Sequence, residues 1–164
     1  MQSQNTAGPH VTHETIGDGW LLAVIGNVRV TCFTRVMDDA SFAKYCDVWS
    51  HHLDSLPADR ASGVLHEVVG KGDMDARRRK MLGEVLRTRK EKLARINAGF
   101  VMVTSSSITR GIMTAVFWFA PPPYPSQVMP NARDGLAWLA GRTPGGVDVA
   151  ASLVAYEQLK RKVS

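Results

Sequence analysis

Apolar residues fall along this chain in short bursts with two different periods, and the alternation of those periods predicts the elements. Trp20–Ile25 and Val28–Phe33 are β-rich runs separated by Gly26-Asn27, a glycine-first break of the kind that closes a hairpin. Residues 11–16 alternate apolar and polar and can add an edge strand before Gly17, Asp18 and Gly19 turn the chain. Asp38 or Asp39 can cap a helix in which Phe42, Tyr45, Cys46, Trp49 and Leu53 recur at intervals of three and four, and Pro57 ends it. A strand over 64–69 comes next, then a helix over 77–95 whose buried stripe is Met81, Leu82, Val85, Leu86, Leu93 and Ile96. Asn97, Ala98 and Gly99 stop that helix. Residues 100–103 read as another buried strand and 108–120 as an apolar helix broken by Pro121, Pro122 and Pro123. Residues 127–129 make a last short strand and 132–139 the last helix of the core.

Strands alternating with helices predict right-handed crossovers and a sheet that is largely parallel after its opening hairpin. With 164 residues, 45% of them hydrophobic, the chain has the size of one domain with a proper core. The expected architecture is a single α/β domain over 11–141, with a mixed sheet of four to five strands flanked by helices. Residues 1–10 read as a disordered lead-in with no secretory signal, and 142–164 as a linker with an extra C-terminal helix ending in Lys160, Arg161 and Lys162. The longest apolar stretch, 112–123, is well short of the roughly 20 residues of a membrane-crossing helix. Cys32 and Cys46 sit among apolar neighbours, where a thiol behaves as a small buried hydrophobe. The expectation is a soluble cytoplasmic protein.

The net charge of +5 changes meaning once it is located. Residues 77–95 hold nine basic side chains against Glu84 and Glu91, so this segment carries +7 and the remainder −2. Arg77, Arg78, Arg79, Lys80 and Lys90 are its candidate electrostatic surface, for nucleic acid, an anionic membrane or an acidic protein. No aromatic residue interleaves with these charges as a stacking platform requires, so nucleic acid is disfavoured and a solvated face is the simpler reading. Arg89 is the exception, because it falls on the apolar stripe and must snorkel or reach a buried acceptor.

The opening strand pair, the helix after Asp39, the strands at 64 and 100–104, and the ending Asp134, Gly135, Leu136, Ala137, Trp138, Leu139 together resemble a STAS domain of the SpoIIAA-like (STAS/SEC14) kind. The resemblance implies a small sheet with helices on it and a regulatory role exerted through protein contacts. It also implies a phosphorylatable serine at the start of the helix after the central strand. That stretch is here Gly72, Asp73, Met74, Asp75 and Ala76, which has no serine or threonine; Asp73 or Asp75 supplies a fixed negative charge instead.

Two stretches raise the question of an anion site, and one helix that of an apolar partner. The loop of Gly70, Lys71, Gly72 and Asp73 sits between a strand and a helix but lacks the remaining residues of a P-loop or a dinucleotide fingerprint, and reads as a plain turn. Ser105, Ser106, Ser107, Thr109 and Arg110 gather at a helix start, a candidate anion or phosphorylation site whose simpler reading is capping by one serine. In the helix over 108–120, Ile108, Ile112, Ala115, Val116 and Phe119 are expected to fill the core. That leaves Met113, Phe117 and Trp118 for the C-terminal helix, a second subunit or, with Met102, an apolar ligand.

The histidines add little. His51 and His52 are adjacent and point to different helix faces, and Asp47 with His51 makes a two-ligand set at best. His66 reads as structural, with Glu67 on the opposite strand face. No serine elbow, zinc-binding or Cys-x-x-Cys motif occurs, so no catalytic residue, metal or cofactor is nominated. The function expected is a non-enzymatic regulatory module acting by protein contact, as a homodimer. Its rivals are a carrier or sensor of a small apolar, lipid-like molecule and a binder of nucleic acid or anionic surfaces through 77–95.

Overall fold

β1 (Val11–Gly17), β2 (Trp20–Ile25) and β3 (Val28–Phe33) form an antiparallel meander. Its second turn works because Gly26 adopts φ +56°, a left-handed conformation that a side chain resists. The computed structural model describes residues 9–70 and 74–163. The lead-in expected over 1–10 therefore lies largely outside the described residues, but His10 is held, its carbonyl accepting from the Gly26 N–H at 3.0 Å.

After the meander the chain alternates helix and strand. Asp38 caps α1 (Asp39–Ser55) by accepting from the Ser41 N–H at 2.7 Å, and that bond holds its carboxyl below the usual range. β4 (Ser62–Val68) precedes α2 (Ala76–Thr88), which is capped by Asp75. α3 (Lys90–Ile96), β5 (Asn97–Val103), α4 (Ser107–Phe119), β6 (Ser126–Met129), α5 (Ala132–Ala140) and α6 (Val149–Val163) complete the order. The sheet runs β1-β2-β3-β4-β5-β6, parallel from β3 onward. It has six strands where four to five were expected, because both edge runs pair.

Parallel neighbours joined in sequence order require right-handed crossovers, which put α1 to α4 on one face of the sheet. α5 lies across β4 and β5 on the other face, with α6 beside it over β1 and β2. The core beneath α5 and α6 is closed: Leu21, Val30, Leu65, Val101, Leu136 and Tyr156 are at most 1% exposed. A Cβ on Gly135 would come within 2.9 Å of Val101 Cγ1, so glycine is what lets α5 settle onto β5. On the crossover face, Trp20, Leu22, Phe33 and Val68 meet Phe42 and Tyr45 of α1.

The helix read over 77–95 is two helices. The chain breaks at Arg89 (φ −118°, ψ 14°), and the turn brings Leu93 and Ile96 against Leu53 and Tyr124. Arg89 resolves its place on the apolar stripe by reaching back to α1, where Nε and Nη2 each donate to the Asp54 carboxylate at 2.8 Å.

A buried arginine ties the lower ends of three strands. Arg29 Nε donates to Ser62 Oγ at 2.8 Å, and Nη2 donates to the Ile96 carbonyl at 3.0 Å and to Asn97 Oδ1. Burial pushes its guanidinium down to about 10. Arg29→Ala would strand these acceptors, and urea unfolding is expected to show a loss of about 2–3 kcal/mol. A loss under about 0.5 kcal/mol would mean water satisfies them equally well.

Candidate functional site

α4 is where the fold leaves apolar surface uncovered. Ser106 caps it, accepting from the Thr109 N–H at 3.2 Å, and β6 lies beneath it. Met113 and Phe117, one turn apart, point inward and are half-buried; the Phe117 ring meets Phe100 edge-on at 6.1 Å. The outer flank carries Ile108, 76% exposed, Ile112, 59%, and Val116, 45%, with Trp118 at 85%. This corrects the expected orientation. Ile108, Ile112, Ala115 and Val116 face water instead of the core, and Met113 and Phe117 turn toward the sheet; only Trp118 lies outward as read. The Phe119 side chain lies outside the described ones. The cause is compositional: a helix apolar on nearly every side contains several acceptable stripes, and periodicity cannot choose among them.

The structure also decides what covers this helix. α6 packs on β1, β2 and α5, across the sheet from α4, so the C-terminal helix does not shield it. Tyr156 and Lys160 of α6 instead meet Glu67, the Tyr156 hydroxyl donating to Glu67 Oε2 at 2.5 Å and the Lys160 ammonium lying 3.0 Å from it. The 141–146 stretch expected to be a linker is held as well, since Asn27 Nδ2 donates to the Gly146 carbonyl at 3.1 Å.

The serine-rich loop lies at the carboxyl end of β5, beside a point where the winding reverses: α4 leaves β5 toward one face and α5 leaves β6 toward the other. The loop's polar capacity is partly spent on itself. Ser106 Oγ takes both the Thr109 N–H and its hydroxyl, and Arg110 Nη1 donates to the carbonyls of Thr104 and Ser105 at 3.0 and 2.9 Å. Capping is thus the observed use of Ser106, while Ser105 and Ser107 are exposed.

The basic surface is smaller than its sequence implies. Arg78 is buried, not on the surface: Nη2 donates to the Met37 carbonyl and to Asp39, and its guanidinium lies over the Phe42 ring. Arg77 pairs with Asp39, Arg79 donates to the Met74 carbonyl, and Arg87 pairs with Glu84. Lys80 and Lys90 remain exposed. Asp75, one of the two aspartates where the resemblance implied a phosphorylatable serine, caps α2; Asp73, with residues 71 and 72, lies outside the described residues.

Of the histidines, His66 Nδ1 is 2.7 Å from Thr31 Oγ1, with the Phe33 ring edge-on to it; burial pushes the imidazole down to about 4. His51 Nδ1 donates to the Asp47 carbonyl, and among the described residues no three His, Cys, Asp or Glu side chains converge as a metal ion requires. No described helix is long and apolar enough to cross a membrane. Compared with family models, with curated proteins and with solved structures, the chain gives no match.

Proposed function

We propose that this chain is a non-enzymatic, STAS-like regulatory module that works by protein contact through the outer flank of α4, starting with a second copy of itself. The observation that carries this reading is the exposed row of Ile108, Ile112 and Val116. Three β-branched side chains spaced one turn apart make a continuous apolar ridge, the kind of patch that monomers rarely leave in water. Arg110 is the only charged residue of α4, and it is hydrogen-bonded to its own loop. A charged partner would therefore gain nothing there, whereas a second identical ridge can interdigitate with the first across a twofold axis. Trp118 is of the residue type that most often anchors such interfaces. The two buried free thiols, Cys32 and Cys46, support a cytoplasmic setting.

Light scattering at high protein concentration is expected to give the mass of two chains. Ile112→Lys is expected to give one chain, with the thermal midpoint of the isolated fold moved by only a degree or two, because the side chain is 59% exposed in its own subunit. A single-chain mass for the unaltered protein would overturn self-association.

A second reading is favoured by one specific feature: Met102, Met113 and Phe117 are only half-buried around Phe100, although two of the four lie on a central strand. A small apolar ligand could complete that packing. Native mass spectrometry separates the readings, since a carrier emerges with added small-molecule mass and a contact module does not.

A further inference from the structure

Far from α4, between the edge strand β1 and the first helix, lies a cleft of about 460 Å³. α1 turns Lys44, Asp47, His51 and His52 toward it, and the pleat of β1 adds His13 and Thr15 from one strand face. The imidazoles of His13 and His52 stack at 4.7 Å between centroids, and His13 Nε2 lies 3.2 Å from Thr15 Oγ1. His52 Nε2 is buried without a hydrogen-bond partner. Lys44 has no ion-pair partner among the described residues. On the inner side stands Arg29 of β3, a buried cation whose acceptors, Ser62, Ile96 and Asn97, are all neutral. Asp47 is the one carboxylate lining this wall.

Lys44 on the wall and Arg29 behind it outnumber the one lining carboxylate, Asp47, so the cleft has a positive potential even with its three imidazoles neutral. His52 is pushed down to about 4, by burial first and only then by the neighbouring His13 and Arg29. A cation is repelled by such a site, and the described residues do not converge on one. An oxyanion would be drawn in, would pair with Lys44, and would let His52 take up a proton that burial now disfavours. The volume exceeds a bare phosphate and falls in the range of metabolite pockets.

We propose that the cleft between β1 and α1 binds the oxyanion group of a small metabolite through Lys44, His13 and His52. Asp47 opposes the charge and sets a limit on affinity; it is placed to accept from a hydroxyl or ammonium elsewhere on the same ligand.

The test is a titration of the full chain with inorganic phosphate, and in a parallel arm with acetate, against sodium chloride at matched ionic strength. It is followed by the imidazole C–H signals of all five histidines. Saturable shifts at His13 and His52 are expected, with the His52 pKa raised by at least one unit and the thermal midpoint up by about 3 °C at ten times Kd. Lys44→Met, a change at an exposed position, should weaken binding about tenfold while leaving the unliganded midpoint unchanged, and Asp47→Asn should tighten it. Saturation by acetate alone would support the site and assign it to carboxylates; by phosphate alone, to phosphates. Shifts that chloride reproduces, shifts confined to other histidines, or binding indifferent to Lys44→Met would overturn the proposal.

Discussion

Alanine at Tyr156 is expected to lower the free energy of unfolding by about 4 kcal/mol in urea. The ring is fully buried beneath α6, in the cluster formed by Leu21, Val30, Cys32 and Leu65, so truncation opens a cavity under the helix that closes that face. It also removes the hydroxyl that donates to Glu67, although Lys160 continues to hold that carboxylate. The two contributions are separable. Tyr156→Phe keeps the packing and loses one hydrogen bond, and should cost only about 1 kcal/mol. A Tyr156→Ala loss as small as that of the phenylalanine variant would mean that α6 does not stabilise the sheet. The same burial pushes the Cys32 thiol up to about 12, so alkylation of Cys32 at neutral pH should wait on unfolding.

Acid is expected to have the largest effect of any condition. His52 and His66 are both held near 4 in the folded chain, by burial above all, against about 6.5 for an unfolded histidine. Above pH 6.5 both rings are neutral whether the chain is folded or not, and they contribute no pH dependence. As pH falls from 6.5 toward 4 the unfolded chain takes up these protons first, so stability drops by as much as about 1.4 kcal/mol per pH unit for each ring. By pH 4 the total reaches up to about 3 kcal/mol per histidine, less where water reaches the ring. Urea midpoints measured from pH 7.5 to 4 should trace this decline. His66→Gln, which keeps a partner for Thr31 without a titrating ring, should flatten about half of it. A profile unchanged by that variant would place the acid sensitivity elsewhere.

The resistance of α4 to reading from sequence has a physical cause shared with other parts of this chain. Where polar residues interrupt apolar ones at a clear period, as in α1, the buried set Phe42, Tyr45, Cys46 and Leu53 is legible in advance. In α4 Thr114 is the one polar residue beyond Gly111, too little to mark a flank, so the choice between the Ile108 row and the Met113–Phe117 row falls to the packing of Phe100 beneath it. The basic segment misleads for the opposite reason. Formal charge counts Arg78 as surface, although its guanidinium is buried against Met37, Asp39 and Phe42. The cleft proposed to take an oxyanion had almost no signal: its histidines come from positions 13, 51 and 52, and no local spacing links a strand edge to a helix about forty residues later.

Sequence alone determined the order of strands and helices, the glycine-first hairpin, the burial of both cysteines and the opposite facing of His66 and Glu67. All of these follow from local conformational preference and the two backbone periods. Tertiary structure alone decided that the edge runs complete a six-stranded sheet, that the chain bends at Arg89 to meet Asp54, and that α6 closes the face opposite α4. Those outcomes depend on which apolar surfaces meet across long sequence separations, a competition among packings that no window of neighbouring residues records.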